Sequence, residues 1–173
     1  MISEFSPFVL YSLTVETEGA VASLIRRNLH RFDEQETVLA STFRRLKNLH
    51  ESYLQEGCQF LVALDAEKKP VGCVGLGPFH GLPLSEGVGE IRDLVVDENM
   101  RGKGLGKLLL DNAVQAAKRI GYRRLYLETS RNMLVAQKLF ESRGFRPVTM
   151  KSPLSSEKTG SEILPSYYLL EIL

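Results

Sequence analysis

The chain has 173 residues, 43% hydrophobic and 25% charged, and its 22 Lys and Arg against 21 Asp and Glu leave a net charge of +1. That balance excludes a protein that coats nucleic acid by bulk charge, and the absence of any long apolar run excludes a membrane span. The length suits one domain over residues 1–173 with a sizeable core. Glu4 precedes the first apolar stretch with no Lys or Arg beside it, unlike a secretory signal, so the expected compartment is the cytoplasm. Cys58 and Cys73 lie in or beside strand-like runs and read as buried free thiols rather than a disulfide framework.

Phe8 to Val15 reads as a first strand. Thr17 and Glu18 suit a helix start, and Val21, Leu24, Ile25 and Leu29 share one helical face. A second helix is predicted from Asp33, with Glu36 in capping-box position and a stripe of Leu39, Phe43, Leu46, His50 and Tyr53 ending at Gly57. Phe60 to Leu64 and Val71 to Leu76 form a predicted antiparallel hairpin around Asp65–Pro70. A Gly- and Pro-containing loop, His80 to Gly89, leads to the strand Ile91–Val96. A long helix runs to Ile120, burying Leu105, Leu109, Ala113, Ala116 and Ile120, and Gly121 closes it. Leu125–Glu128 is a strand, Asn132–Arg143 a helix ended by Gly144, and Arg146–Met150 and Tyr167–Ile172 are final strands around a polar loop. The order β-α-α-β-β-β-α-β-α-β-β is that of a mixed α/β domain with a mostly antiparallel sheet and one parallel crossover.

The segment Arg101-Gly102-Lys103-Gly104-Leu105-Gly106-Lys107 joins the strand to the long helix. Glycines let a backbone curl tightly and approach a ligand, and a helix start presents free N–H groups and the positive end of its dipole. This predicts an anion site, above all for a pyrophosphate. From Arg101 to Arg124 there are seven basic residues and one acid, Asp111. They read either as a solvated helix face or as a funnel for a polyanion. A Walker loop fails, because Lys107 is followed by Leu108 and Arg101 stands where the first glycine belongs. A dinucleotide fingerprint fails too: its third glycine would fall on Lys107 or Leu109. Glu128, about twenty residues on, is the one feature such a reading would use for ribose.

Arg101, Gly104 and Gly106 instead meet the pattern Arg-x-x-Gly-x-Gly. With the preceding Leu94-Val-Val-Asp-Glu-Asn-Met, and with Leu125-Tyr-Leu-Glu-Thr-Ser and the Asn132, Ala136, Phe140, Gly144, Phe145 spacing downstream, residues 60–150 resemble the GNAT acyltransferase superfamily. That resemblance implies a GNAT-like fold, its sheet splayed at a bulge between the central parallel strands. It implies acyl transfer from acetyl-CoA, as co-substrate and without a metal, to a small-molecule or peptide amine; a non-catalytic acyl-CoA sensor is the alternative. Backbone groups of Leu94, Val95 and Val96 would bond the pantetheine arm, and one N–H would polarise the thioester carbonyl. The N–H groups of Arg101, Gly102, Lys103, Gly104, Leu105, Gly106 and Lys107 would take the pyrophosphate. Asn132 would contact pantetheine, or serve as a helix cap, or both. Phe140 would border the cofactor where many relatives carry a tyrosine that protonates the leaving thiolate, so the acid is unassigned, with Tyr126 and Tyr168 as substitutes. Relatives are often dimers, which admits a homodimer.

Amine acylation needs a neutral nitrogen, hence a proton acceptor. Glu90 stands where many relatives place a base, and desolvation in a cleft would raise its pKa; it also reads as an exposed strand-end carboxylate. Asp93 is a rival that alternation sends to the opposite face unless a bulge intervenes. His80 is a further loop candidate, and the three His show no metal-ligand spacing. The acceptor is expected across the first two helices, the loop 80–89 and the loop 151–166, where Glu86, Glu157 and Glu162 would favour a cationic amine.

Overall fold

The computed structural model describes residues 8–29, 42–129, 133–149 and 166–172. In chain order these give β1 (Val9–Ser12), α1 (Val15–Leu29), a helical run 42–46, the short α2 (Leu49–Ser52), β2 (Gln59–Leu64), β3 (Pro70–Pro78), β4 (Val88–Val96), α3 (Leu105–Ile120), β5 (Arg124–Thr129), α4 (Leu134–Ser142), β6 (Arg146–Val148) and β7 (Ser166–Glu171). The predicted start of the second helix at Asp33 lies outside the described residues. Its later part is broken by a turn at 47–48 before α2. The loop after β3 carries two single 3-10 turns, Phe79–Gly81 and Leu84–Glu86, and β4 begins at Val88, before Glu90 rather than at it.

Seven strands form one sheet in the order β1-β2-β3-β4-β5-β7-β6. All neighbours are antiparallel except β4 and β5, which are parallel. The β2–β3 hairpin turns at Asp65, whose Oδ1 accepts from the N–H groups of Glu67 (2.9 Å) and Lys69 (2.8 Å). The chain order of the last two strands is reversed in space, with β7 inserted between β5 and β6.

Strand alternation sends side chains to two separate cores. On one face Val74, Leu76, Ile91, Leu125, Leu127 and Tyr168 meet α3 and Phe140 of α4. On the other, Phe60, Val62 and Cys73 meet Val21, Leu24 and Ile25 of α1, with Leu46, Leu49 and Tyr53. The helix α3 is held at both ends by glycines in the left-handed region: Gly104 (φ 82°) before it and Gly121 (φ 102°) after it. Gly121 N–H bonds Ala117 O and Lys118 O, and Lys118 and Arg119 complement the negative end of the helix dipole. Its buried stripe, Leu105, Leu109, Leu110, Ala113, Ala116 and Ala117, fixes the helix against β3 and β4, each fully buried leucine contributing about 1.5–3 kcal/mol. The glycine turn that precedes α3 is therefore anchored beside the end of β4.

Candidate active site

Strand β4 pairs with β5 only from Val88 to Ile91, opposite Arg124 to Leu127. On its other side it stays bonded to β3 as far as Val96. Between Cys73 and Gly75 of β3 the register shifts: two residues there face the three-residue step from Val95 back to Arg92. One extra residue is thus inserted in β4, and Asp93 takes a left-handed φ of 53°. The sheet splits at this bulge. Asp97 N–H donates to Val71 O (2.8 Å). Backbone groups alternate in direction along a strand, so those of Val95 turn toward β3 and those of Leu94 and Val96 turn into the gap beside β5. Of residues 94–96, Leu94 and Val96 thus turn backbone groups toward the gap, the Val96 carbonyl accepting from Arg101 Nε, and their side chains stay in the core on the α3 face.

The turn after β4 lies beside this gap. Asp97 caps the 3-10 turn Glu98–Met100 by accepting from Asn99 N–H (3.1 Å). Turn hydrogen bonds stop at Arg101 N–H to Glu98 O (3.3 Å) and resume at Leu108 N–H to Gly104 O (3.0 Å). Among the described residues, the N–H groups of Gly102, Lys103, Gly104, Leu105, Gly106 and Lys107 meet no acceptor in this geometry. Gly102 (φ 74°) and Gly104 (φ 82°) both require the left-handed region, and a Cβ at either would meet no atom within 4 Å. Gly106 differs: a Cβ there would stand in ordinary van der Waals contact with Leu139 and Val96, so this position faces the protein and not the open side of the turn. The result is an open cradle of helix-start amides, suited to a diphosphate.

The basic side chains of the turn divide. Arg101 Nη2 donates to Asn28 Oδ1 of α1 (2.7 Å), and its Nε donates to Val96 O (3.3 Å). Its guanidinium ties the turn to α1 instead of reaching over the cradle. Lys103 and Lys107 carry the remaining charge of the turn. Asn132 lies outside the described residues. Phe140 is 5% exposed, enclosed by Phe145 (ring centroids 6.3 Å) and Tyr168 (5.8 Å).

Glu90 opposes Gly77 on β3 and Tyr126 on β5, so all three share one sheet face. Burial lifts the Glu90 carboxyl above its ordinary range; Arg92, His80 and Arg45 pull it back and Asp93 pushes it further up. Glu128 and Tyr167 are paired in register on the same face. Burial and then the charge of Glu90 raise the Glu128 carboxyl, and burial and then Glu128 push the Tyr167 phenol up to about 12. Tyr126 stacks on Phe79 (4.6 Å), and Phe79 meets the ring of His80 edge-on (4.2 Å). His80 has a left-handed φ of 48° and is exposed. Tyr168 is on the opposite face, and its hydroxyl donates to Glu141 Oε1 (3.2 Å).

The bulge returns Asp93 to the Glu90 face, the exception allowed by the sequence. Its carboxylate receives two bonds from Arg45, Nη2 to Oδ1 (2.6 Å) and Nε to Oδ2 (2.9 Å), and one from the Tyr53 hydroxyl to Oδ2 (3.0 Å). Arg92 lies over the Tyr53 ring (5.3 Å to the centroid), in room left by the missing side chain of Gly77. Gly75 likewise admits the Tyr53 hydroxyl. No sequence spacing linked Arg45 or Tyr53 to this site. Glu128, noted only for a ribose role, stands beside Tyr167.

A sheet that splits at its one parallel pair, with an open amide cradle at the following helix start, places this chain among mixed α/β domains built to take an extended anionic ligand at the split. Residues 25–145 match the acetyltransferase (GNAT) family, and the chain belongs to it. It is 37% identical over 102 residues to human N-acetyltransferase 8B, covering 58% of this chain and 44% of that protein. It is 30% identical over 144 residues to the N-acetyltransferase YjgM of Escherichia coli, covering 81% and 83%. The chain thus spans about half the length of some curated relatives it matches and most of others. The structure of YncA from Salmonella typhimurium, solved with acetyl-CoA, overlays with a TM-score of 0.74 at 20% identity, covering 95% of this chain and 93% of that one, a likeness of fold.

Proposed function

We propose that this protein is an N-acetyltransferase, a single domain acting in the cytoplasm, which transfers the acetyl group of acetyl-CoA to a primary amine by direct attack in a ternary complex. The observation that carries the reading is the cradle from Gly102 to Lys107 beside the split that opens after Ile91. The cradle N–H groups suit the diphosphate, with Lys103 and Lys107 adding positive charge. Acetyl-CoA would supply the activated thioester. The gap-facing N–H of Leu94 or Val96 suits the thioester oxygen, where negative charge develops. No metal is part of this reading.

Glu90 is the proposed base. Its carboxyl is raised by burial yet restrained by Arg92 and His80, which brings it nearer the pH at which it must exchange protons. It accepts the proton of the attacking amine directly or through water. The leaving thiolate needs little help, since an ordinary thiol has a pKa near ~8.5. If an acid assists, Tyr126 is on the correct face, whereas the Tyr168 hydroxyl is bonded to Glu141.

Calorimetry with acetyl-CoA, followed by release of free thiol with a panel of amines, tests the reading. Saturable binding and turnover are expected, with Glu90→Gln losing activity chiefly above the pKa of Glu90 and below that of the amine, where the wild-type carboxylate is ionised and the amine still carries its proton. Absence of binding at millimolar acetyl-CoA would end it. One observation favours a second reading, an acyl-CoA sensor: Phe140 has no hydroxyl and is enclosed by aromatic rings. Binding without turnover across the panel would select the sensor.

A further inference from the structure

We propose that Asp93 is a positioning residue: clamped by Arg45 and Tyr53, it holds the β4 bulge in the shape that turns the Leu94 N–H into the acyl site. This inference rests on the acetyltransferase reading and adds to it a residue set drawn from a separate helical segment.

Asp93 is strained. A non-glycine residue at φ 53° costs about 1–2 kcal/mol, and this one is in a strand, where the left-handed region is not otherwise used. Its side chain is 4% exposed, so an ionised carboxylate here must be fully bonded. It is: Arg45 forms a fork with both oxygens, and the Tyr53 hydroxyl adds a third bond. Burial of Arg45 disfavours its charge, but the pull of Asp93 is what outweighs that and keeps the guanidinium firmly protonated. The Asp93 carbonyl is also engaged, accepting from Cys73 Sγ at 3.3 Å. Both the side chain and the peptide after it are thereby fixed. The next N–H in the chain is that of Leu94.

Two facts argue that this arrangement is built for more than stability. The first is its location. Pairing of β4 with β5 ends at Ile91, two residues before the clamped Asp93, and the peptide that the clamp fixes carries the Leu94 N–H, which faces the gap. The second is the room made for it. Gly75 and Gly77 of β3 are side-chain-free on that face, and a Cβ at Gly75 would run into Tyr53 while one at Gly77 would run into Arg92. The sheet gives up two side chains so that Tyr53 and Arg92 can lie against the bulge. Arg45 belongs to the helical run 42–46 and Tyr53 follows α2, the segment that borders the Glu90 face. A shift in that segment would therefore move the Leu94 peptide.

The test separates clamp from conformation. Asp93→Gly removes the clamp but allows the positive φ at no steric cost; Asp93→Ala removes both; Tyr53→Phe removes one bond and leaves the fork. For Asp93→Gly we expect at least a tenfold fall in kcat with an amine that the wild type acetylates, while the calorimetric Kd for CoA changes less than threefold because the diphosphate cradle is untouched. Tyr53→Phe should fall two- to fivefold. Arg45→Met should match Asp93→Gly, and the double variant should be no worse than either. A retained Kd for CoA shows that each variant is folded. A second measurement needs no turnover: in ¹⁵N spectra, replacing CoA by acetyl-CoA should shift the Leu94 amide of the wild type and leave it unshifted in Asp93→Gly. Wild-type kcat in Asp93→Gly, additive losses in the double variant, or an equal Leu94 shift in both proteins would overturn the proposal. A wild type that binds acetyl-CoA without turning over any amine refutes catalysis alone, and the amide shift then decides the clamp.

Discussion

Gly104→Ala is the sharpest probe of the cradle, because α3 carries its own control at the other end. Gly104 and Gly121 both take the left-handed region, at φ 82° and 102°, and a Cβ at either meets no atom within 4 Å. Alanine at each position therefore meets the same obstacle, a backbone strain of about 1–2 kcal/mol with no clash. For a chain of this size that corresponds to a fall in Tm of roughly 2–8 °C. The two variants should be alike in stability. They should differ in ligand binding. At Gly104 the new Cβ projects into the space beside unbonded helix-start amides, and displacing a diphosphate from even one of them forfeits a charged hydrogen bond of about 1.5–3 kcal/mol. That is roughly a tenfold to hundredfold rise in Kd for CoA. Gly121→Ala should bind CoA as the wild type does. Differential scanning fluorimetry gives the stabilities and calorimetry the affinities. If Gly104→Ala binds CoA within about twofold of Gly121→Ala, the diphosphate does not sit on this turn and the reasoning fails.

Three further outcomes are expected. Glu90→Gln should melt higher than the wild type at pH 7: burial raises the folded pKa above its ordinary 4.5, so stability falls as pH rises from that value through the folded one, and glutamine removes the loss; a lower Tm across that window would contradict it. Arg92→Gln removes the largest charge holding the Glu90 pKa down, so the acidic limb of the rate profile should move to higher pH; a limb that stays or moves down refutes Glu90 as the titrating base. Arg101→Ala should lower the unfolding free energy by about 1–3 kcal/mol through loss of its bonds to Asn28 and Val96, and weaken CoA binding less than Gly104→Ala does; unchanged stability with abolished binding would show that the guanidinium serves the ligand instead.

The sequence by itself determined whatever short-range chemistry encodes. Gly104 and Gly121 mark the ends of α3 because few other residues accept their backbone angles, and the 3.6-residue repeat from Leu105 to Ala117 marks its buried face. The alternating strands and the Asp65 turn were legible for the same reason, and the family resemblance, carried by the glycine turn, implied the central parallel pair. Tertiary structure decided the rest. Nothing near Asp93 announces that Arg45, 48 positions earlier, will hold it at a positive φ. Nothing near Arg101 announces that Asn28, 73 positions away, will draw its guanidinium off the cradle. The sheet order that inserts β7 beside β5 brings Tyr167 to Glu128, and the bulge sets which backbone groups of residues 94–96 face the gap. An ion pair or strand pairing depends on the distance between groups in space, which the spacing of residues along the chain does not fix.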